Sequence, residues 1–290
     1  MTAKTPAELV SLTTLMTLTR GNAEIVVALI DGPVHVSHPD FAGAVIREIP
    51  GKVRGACARA SSTACGHGTF VAGILCARRE SAAPAICPAC TLLVRPIFAE
   101  STSTDGVMPN ATPADLAAAI VECIDAGARA INLSVALAQP SSKHERQLEE
   151  ALDHAARRGV IVVAAAGNQG AIGSSAITRH PWVIPVVACD LAGRPLRQSN
   201  LAGSIGRRGL SAPGDQITSL SSDEKTAISA GTSVAAPFVT GAVALLWSTF
   251  PKATAAKVKT AIIPRVSSRR ASIVPQLLNA RAAYQQLVNV

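Results

Sequence analysis

Residues 160–168 read Val-Ile-Val-Val-Ala-Ala-Ala-Gly-Asn, and this stretch decides the fold class. Its apolar run lacks polar alternation, which is typical of a strand buried on both faces of a parallel sheet. Four similar runs lie at 24–30, 91–97, 130–134 and 183–188. Because helical segments separate these runs, the sequence predicts an α/β protein with a parallel central sheet flanked by helices.

The predicted helices carry clear boundary signals. Thr112 can cap the N-terminus of one helix, with Pro113 at its first position and Gly127 just beyond its end. Ser142 and Glu145 can form a capping box at the start of the next helix, and Gly159 can end it. Parallel sheets place their active sites at the carboxyl ends of the strands, so functional side chains are expected at that edge.

The composition is that of a folded protein with a large core. The chain has 290 residues, of which 48% are apolar and only 16% are charged, which excludes a disordered chain. No linker, repeat or low-complexity tract is present, which predicts a single domain over 1–290. Within it we expect an N-terminal helical extension over 1–20 and a C-terminal closing segment over 265–290.

The net charge of +8 is carried by scattered basic residues that are not interleaved with aromatic residues. This pattern favours an ordinary solvated surface and argues against nucleic acid as a partner. The N-terminus lacks a secretory signal pattern, and no stretch approaches the roughly 20 apolar residues that span a bilayer. We therefore expect a cytoplasmic protein without a membrane partner.

The seven cysteines fit neither a disulfide-stapled secreted scaffold nor a regular zinc site. Most are therefore expected to be small buried apolar residues. A local disulfide is open at Cys87–Cys90 or at Cys57–Cys65. Because the first of these pairs is a lone C-x-x-C without a second pair, we expect no metal, and we expect no cofactor either.

Two polar residues lie beside glycines in front of apolar helical segments. Ser233 occurs in Gly-Thr-Ser-Val-Ala-Ala-Pro at 231–237, and His67 occurs in Gly-His-Gly-Thr at 66–69, each expected to open its helix. Unpaired N–H groups at a helix start favour negative charge, so a hydroxyl there is well placed beside a developing oxyanion. Taken alone, Ser233 also fits a helix cap, and His67 also fits a structural histidine.

Two further polar residues end predicted strands. Asp31 follows the apolar run at 25–30, where a carboxylate can orient a histidine. Asn168 follows the run at 162–166, and its side-chain amide can donate to an oxyanion. Each also fits an ordinary turn residue. Together the four residues occur in the chain order known for one class of serine peptidase, Asp31, His67, Asn168 and Ser233.

These motifs resemble those of the subtilase family over essentially the whole chain. The resemblance implies a subtilisin-like three-layer α/β fold and peptide-bond hydrolysis through an acyl-enzyme. It implies that Ser233 attacks, His67 carries the proton and Asp31 orients the imidazole, with Asn168 and the Ser233 N–H in the oxyanion hole. The matching blocks are Ile-Asp-Gly at 30–32, Gly-His-Gly-Thr at 66–69, Ala-Ala-Gly-Asn at 165–168, Gly-Thr-Ser at 231–233 and Pro237.

The same resemblance implies a peptide or protein substrate and the residues that bind it. These residues wall the first pocket and line the cleft, namely Ser134, Val135, Ala136, Ala165, Ala166, Gly167 and Thr232. Residues 169–175 are expected to form the rim of the pocket. Their small, uncharged side chains disfavour an acidic pocket that selects Arg or Lys.

A narrower resemblance is to the subtilisin-like proteases that mature cyanobactins and similar ribosomal peptides. It is carried by Asp-Gly-Pro-Val at 31–34, by residues 37–43 and by Arg-Pro-Ile-Phe at 95–98. It implies selective processing of a ribosomal precursor peptide. The short interval between Asp31 and His67 leaves little room for the helical insertion of macrocyclising members, which favours the cleaving type. A general intracellular subtilase in protein turnover and a peptide-binding pseudoprotease stay open as alternatives.

Three features depart from common subtilases. Gly32 stands where Ser or Thr usually follows the aspartate, and Ser134-Val135-Ala136-Leu137 replaces the common Ser-x-Gly-Gly of the strand that pairs with the substrate. The added Cβ atoms predict reshaped subsites and restricted specificity. The loop at 77–90 is basic and contains proline, a poor match to oxygen-ligand chemistry, so we expect no calcium there.

Overall fold

The structure, a computed structural model, describes residues 4–53, 55, 57–100, 111–135, 145–263 and 272–289. A parallel sheet of eight strands runs through this part of the chain, accompanied by one antiparallel hairpin. The strands are β1 (Val26–Asp31), β2 (Val45–Glu48), β3 (Thr91–Pro96), β4 (Ala130–Leu133), β5 (Ile161–Ala165), β6 (Ile184–Cys189), β7 (Leu210–Pro213), β8 (Ile217–Leu220), β9 (Thr226–Ser229) and β10 (Gln276–Leu277).

The strand order across the sheet is β10-β7-β6-β5-β4-β1-β3-β2, and β8 pairs with β9. The chain leaves β1 first towards β2 and β3 and later returns on the other side to β4, so a switch point lies between β1 and β4. Ligand sites of open parallel sheets form outside the carboxyl ends of the strands at such a point. All five predicted strands are present within two residues of their predicted bounds, and the predicted fold class is confirmed.

Helices cover both faces of the sheet. They are α1 (Pro6–Leu9), α2 (Leu12–Leu18), α3 (Thr63–Cys76), α4 (Pro113–Asp125), α5 (Arg146–Arg158), α6 (Ala176–Arg179), α7 (Gly203–Arg208), α8 (Thr232–Thr249), α9 (Ala255–Ile262) and α10 (Ala280–Val288). Successive side chains of a strand point to opposite faces. In β1, Val27 and Leu29 therefore join the core beneath α3 and α8, whereas Ala28 and Ile30 join the core beneath α4 and α5.

Several helix boundaries follow their sequence signals. Helix α5 begins at Arg146, directly after Glu145, and Ser142 of the predicted capping box lies outside the described residues. Thr112 caps α4 and Gly159 ends α5 in the left-handed conformation, as predicted. The prediction that His67 opens a helix is wrong, because α3 begins at Thr63 and His67 lies a full turn inside it. The Ser62 hydroxyl caps this earlier start by accepting a hydrogen bond from the Cys65 N–H. Tertiary burial of α3 outweighs the poor helix propensity of the glycines beside His67.

Helix α8 is the central helix of the larger core. It is apolar on all sides, and its Phe238 and Trp247 side chains are fully buried. By length and composition it could also cross a membrane, but 83% of it is buried inside the fold. Such burial identifies it as a core helix.

The two ends of the chain pack against each other and against this core. Val10, Leu12 and Leu15 of the first helical segment are fully buried. The Ala280 N–H at the start of α10 donates to the Val10 carbonyl oxygen at 3.0 Å. Strand β10 adds to the sheet edge beside β7. Helix α2 and the residue before Ser11, Val10, therefore contribute to the core, whereas α1 itself has no buried residue.

The loop at 77–90 is held by arginine side chains. The Arg78 guanidinium contacts the Asp40 carboxylate at 2.6 Å, and the Arg78 N–H donates to the Asp40 carbonyl oxygen at 2.8 Å. Arg79 donates to the backbone carbonyl oxygens of Met16, Thr19 and Ile86. The Arg78 guanidinium thus pairs with the Asp40 carboxylate, which a bound cation would otherwise need as a ligand. The expected lack of calcium at this loop stays a prediction.

Of the two cysteine pairs left open, Cys57 and Cys65 form the disulfide, with their Cα atoms 5.7 Å apart. Cys87 and Cys90 are free thiols, so the alternative pairing is wrong. The two thiols contact each other as a hydrogen-bonded pair, which lowers the pKa of Cys90 and raises that of Cys87. The predicted burial of most cysteines holds, because all five free thiols are buried.

Candidate active site

Asp31 and His67 form a hydrogen-bonded pair at the carboxyl end of β1. The imidazole Nδ1 lies 2.7 Å from Asp31 Oδ1. The Gly32 N–H donates to the same oxygen, also at 2.7 Å. The carboxylate is fully buried, and its second oxygen, Oδ2, has no hydrogen-bond partner among the described residues. Through this one oxygen, the aspartate therefore contacts both the imidazole of His67 and the backbone of Gly32.

The unusual Gly32 is explained by the approach of α3. A Cβ atom at this position would lie 2.0 Å from the carbonyl oxygen of Ala64, which is backbone and cannot swing away. Only glycine fits here. The missing hydroxyl is thus a consequence of how closely the helix that carries His67 packs on the Asp31 strand end.

The charge on Asp31 raises the pKa of His67. Burial opposes the charged imidazolium, but the Asp31 carboxylate and its hydrogen bond favour it more strongly, so the pKa of His67 is raised above its ordinary value of 6.5. The side chain stays partly accessible, at 21% exposure. A base of this kind can accept a proton from a nearby hydroxyl and hold it beside the carboxylate.

Ser233 is the second residue of α8 and lies at the same edge of the sheet. Gly231 precedes the helix with a φ of 138°, a conformation that favours glycine. The Ser233 side chain is partly exposed, and its hydroxyl makes no hydrogen bond to His67 in the part of the chain that the structure describes. Catalytic hydrogen bonds of this kind are often long without substrate and shorten when it binds.

Asn168 is held with its amide nitrogen free to donate. The backbone N–H and the hydroxyl of Thr232 both donate to Asn168 Oδ1, at 2.9 and 3.0 Å. With the oxygen fixed in this way, Nδ2 is the atom directed away from Thr232. The Asn168 side chain is exposed. A preorganised donor at this edge is suited to a developing oxyanion.

Sequence reasoning missed a buried chain of hydrogen bonds that ends on the Ser233 backbone. Thr240 on α8 donates to Asn132 Oδ1 at 2.7 Å, and Asn132 Nδ2 donates to the Ser134 hydroxyl at 2.7 Å. Ser134 then donates to the Ser233 carbonyl oxygen at 2.8 Å. The available signal was an asparagine inside the otherwise apolar strand β4, since buried polar groups are nearly always hydrogen-bonded.

The predicted substrate-binding residues are brought to this edge, but mostly as a buried wall. Thr232 is fully buried and positions Asn168, so its side chain supports the site from behind. Ala136 lies outside the described residues. The other predicted residues are all buried, with no side chain more than 8% exposed. They are Ser134, Val135, Ala165, Ala166 and Gly167.

The predicted rim at 169–175 is pinned to a neighbouring segment. Asn200 Oδ1 accepts from the Gln169 and Ala171 N–H groups, and Asn200 Nδ2 donates to the Gln169 side chain at 2.6 Å. Ile172 leaves this pinned loop with 71% of its surface exposed. An apolar side chain held out on a rigid loop is a candidate substrate contact.

One group of side chains near α3 has the composition of a metal site. Ligand atoms of Cys57, Cys65 and Glu100 lie within 4.8 Å of one another. Both sulfurs are joined in the disulfide, and the carboxylate already accepts hydrogen bonds from the Ala58 and Arg59 N–H groups. These groups are therefore committed to the loop, and the expected lack of a metal stays a prediction.

An Asp–His pair, a serine at a helix start and a preorganised amide, all at the carboxyl edge of a parallel sheet, define the class of serine-hydrolase sites. Residues 22–279 match the Peptidase S8 family, the subtilase family. This chain belongs to the subtilase family. The family inferred from the sequence motifs is thereby confirmed.

Comparisons with individual proteins support the same placement. The thermophilic serine proteinase of Bacillus sp. (strain AK1) is 32% identical over 239 residues, which cover 80% of this chain and 54% of that protein. The chain spans about half the length of the curated relatives it matches.

Solved structures resemble the chain over nearly its whole length. The protease domain of PatA, a patellamide maturation protease, has a TM-score of 0.84 and 31% identity, with 93% of this chain and 97% of that domain covered. The prenylagaramide maturation protease PagA has a TM-score of 0.83 and 30% identity, with 95% and 98% covered. The narrower resemblance to cyanobactin maturation proteases is thus confirmed as a similarity.

Proposed function

We propose that this protein is a serine endopeptidase that processes a ribosomal precursor peptide at a restricted set of sites. The observation that carries the proposal is the Asp31–His67 hydrogen bond at the edge where Ser233 and Asn168 also lie. The types of residue and their placement suit acyl transfer, and the family membership supports the same reaction.

In the proposed reaction, Ser233 Oγ attacks the carbonyl carbon of the scissile peptide bond. His67 Nε2 takes the hydroxyl proton and later delivers it to the leaving amine. Asp31 holds the imidazole in the tautomer that carries its proton on Nδ1, and it stabilises the imidazolium that forms. Water then attacks the acyl carbon while His67 takes its proton, and His67 returns this proton to Ser233 Oγ as the bond from Oγ to the acyl carbon breaks.

The negative charge of the tetrahedral intermediate is placed between two donors. One is Asn168 Nδ2, whose orientation is set by Thr232. The other is the Ser233 N–H at the start of α8, where unpaired N–H groups and the helix dipole favour an anion. Both donors are in place before the reaction, so little reorganisation is needed when the charge develops.

The substrate class is inferred from the relatives and from the cleft. PatA and PagA are maturation proteases that share the fold and about 30% of the sequence with this chain. Ala136 and Leu137 stand where common subtilases carry glycines beside the substrate backbone, which supports restricted specificity. Cleavage is favoured over macrocyclisation because the interval between Asp31 and His67 is short.

The test is cleavage of a diverse peptide library by wild-type protein and by Ser233→Ala, with products identified by mass spectrometry. We expect cuts at a narrow motif by wild type only, as linear products that have gained one water. Equal cutting of all contexts would favour general protein turnover, and cyclic products would contradict the cleaving type. Failure of a fluorophosphonate to label Ser233 would favour the peptide-binding pseudoprotease.

A cytoplasmic location is also proposed, because five of the seven cysteines are free thiols, as is common in reducing compartments. The Cys57–Cys65 disulfide is a feature more typical of oxidising compartments. The proposal therefore requires that thiol-alkylation mass spectrometry of protein taken from intact cells find this pair reduced or kinetically protected. Secretion of the protein into the medium would contradict it.

A further inference from the structure

The excess of positive over negative charge in this protein lies entirely in its last segment. Residues 225–290 contain eight Lys or Arg residues and no Asp or Glu. Residues 1–224 hold the remaining 19 basic residues and all 19 acidic ones, so they are neutral overall. The whole net charge of +8 is therefore carried by the segment that begins just before the nucleophile and ends the chain. The basic residues are scattered along the sequence, but the acidic residues are not.

A pocket opens in this acid-free segment, at the C-terminal end of α8. It has a volume of about 380 Å³, within the range of sites that hold small ligands or side chains. Its walls are mainly apolar, and two lysines but no carboxylate are among the residues that line it, Thr249, Phe250, Pro251, Lys252, Ala253, Lys257 and Leu287.

The two lysines are available for a ligand. Lys252 and Lys257 are exposed, and neither has a carboxylate within 4 Å in the described ranges of the chain. By contrast, Lys259 on the same helix is committed, because its ammonium donates to the Pro181 and Trp182 carbonyl oxygens and lies over the Trp182 ring. Of the three lysines at 252–259, the two at the pocket therefore keep their ammonium groups available for a ligand.

The wall of the pocket is rigid before any ligand binds. The Trp247 indole N–H donates to the Ala253 carbonyl oxygen at 2.9 Å, and Arg129 donates to the Pro251 carbonyl oxygen at 3.3 Å. The Phe250 ring packs on Tyr284 of α10, with centroids 5.5 Å apart. A site whose shape is already fixed loses less entropy when it binds.

The pocket is remote from the reacting atoms. It lies at one end of α8 and Ser233 at the other, and an 18-residue helix is about 26 Å long. An extended peptide covers that distance in roughly eight residues. A ligand in the pocket therefore cannot be the residue next to the scissile bond, but it can be a distant part of the same substrate.

We infer that this pocket, with Lys252 and Lys257 on its rim, is an exosite for an acidic peptide segment with a bulky apolar side chain. The inference rests on the proposed function, since the segment would belong to the precursor, about eight or more residues from the scissile bond. The apolar side chain enters the pocket and flanking carboxylates pair with the lysines. Tethering raises the local concentration of the scissile bond at Ser233 without changing the chemistry there.

A peptide explains the site better than a polyanion does. Nucleic acids carry no aliphatic side chain for an apolar pocket, and single strands need exposed aromatic rings, whereas Phe250 and Tyr284 are packed on each other. A membrane needs a projecting apolar surface, and this site is concave. Charge alone would suit all three partners, so the apolar wall decides between them.

The test is fluorescence anisotropy with the full-length Ser233→Ala protein and a labelled peptide that contains Glu-Glu-Leu-Glu-Glu-Phe. We expect saturable binding, and at least tenfold weaker binding to a matched peptide with Ser in place of Leu and Phe. The Lys252→Glu/Lys257→Glu variant should weaken binding roughly tenfold or more, as should Leu287→Ser at the apolar wall. The matched control is Arg47→Glu/Arg157→Glu, which makes the same charge change on β2 and α5 and should bind normally.

Several results would overturn the exosite. They are equal binding of both peptides, equal loss in the control variant, or competition by an oligonucleotide or phosphatidylserine vesicle as strong as by the unlabelled peptide. Because the nucleophile is absent from this assay, its outcome is independent of activity. Failure of wild type to cleave any peptide would overturn the proposed function and leave the binding result standing.

Discussion

The two ends of α8 differ in how their polar groups are used. At its N-terminal end, the groups around Ser233 are bonded to one another through short hydrogen bonds, and the Asp31 carboxylate is fully buried. At its C-terminal end, Lys252 and Lys257 are exposed and unmatched. Chemistry needs fixed geometry, so internal hydrogen bonds hold the Ser233 backbone, Asn168 Oδ1 and Asp31 Oδ1 at the first end. Binding of a distant substrate segment needs charged groups without an ion-pair partner and accessible apolar surface. The C-terminal end provides these with its two lysines and its apolar pocket.

Removal of the nucleophile should separate the two ends most completely. Ser233→Ala should lower kcat about 10⁶-fold, the loss known for subtilisin, a relative. Affinity for the acidic peptide at the far end should not change, because the hydroxyl makes no contact there. Single-turnover cleavage and anisotropy measure the two effects. Residual cleavage within tenfold of wild type would mean that Ser233 is not the nucleophile.

Removal of the oxyanion donor should have the next largest effect. Asn168→Ala should lower kcat by about 10²–10³-fold with little change in KM, as is typical when one such donor is lost. The double variant with Thr232→Val should lose little more in kcat, because the Thr232 hydroxyl positions Asn168. It should be less stable, because the buried Gly167 N–H loses the hydroxyl to which it donates. Initial rates with a short substrate test this. A KM effect without a kcat effect would instead make Asn168 a ground-state binding residue.

Restoration of the common residue at position 32 should be harmful at the catalytic end. In Gly32→Ser, the new Cβ would meet the Ala64 carbonyl oxygen at 2.0 Å, so the variant should lose about 1–3 kcal/mol or more in the free energy of unfolding. Gly66→Ala on α3 is the control, since its Cβ would meet only Ser222 Oγ at 3.6 Å. Urea unfolding distinguishes them. A gain in stability for Gly32→Ser would show that α3 can move away from position 32 to make room for the side chain.

The buried chain of hydrogen bonds along α8 should have a moderate effect. Thr240→Val keeps the side-chain shape but leaves Asn132 Oδ1 without its donor, so kcat should fall roughly tenfold at constant KM, and stability should fall by about 1–3 kcal/mol. Thr240→Ser should restore both. If the rate of fluorophosphonate labelling of Ser233 is the same in Thr240→Val as in wild type, the chain does not position the nucleophile.

The pH dependence of activity and stability should show smaller changes, and these should come from the catalytic end of α8. His67 must be neutral to act as a base, so the acid limb of kcat/KM should lie above pH 6.5, because Asp31 raises the pKa of His67. The free energy of unfolding should change with pH in the opposite direction. The charged His67–Asp31 pair stabilises the fold below pH 6.5, and this contribution is lost as the pH rises through the raised pKa of His67. An acid limb below pH 6.5 would contradict the pairing.

Salt should act on the other end of α8. An increase of NaCl from about 0.1 M to about 1 M shortens the screening length from ~10 Å to ~3 Å. Peptide binding at Lys252 and Lys257 should weaken, whereas cleavage of a short substrate should change little because the Asp31–His67 pair is largely shielded from solvent. Equal salt sensitivity of both assays would remove the electrostatic distinction between the ends.

The sequence by itself determined the fold class, the five central strands and the four residues placed at the carboxyl edge. These features follow from local rules, since apolar runs without alternation indicate buried parallel strands, and a polar residue at the end of such a run lies at the edge of the sheet. It also fixed the ends of α4 and α5 through Thr112 and Gly159, because caps act within one turn.

Only the tertiary structure decided the features that depend on distant contacts. Helix α3 starts a turn before His67, and Gly32 is required by Ala64, because burial between elements overrides local propensity. The choice of Cys57–Cys65 over Cys87–Cys90, the bonds of Asn132 and the pocket of Lys252 and Lys257 each join segments that the sequence alone does not bring together. Distance in space, which the order of residues does not record, sets which groups meet.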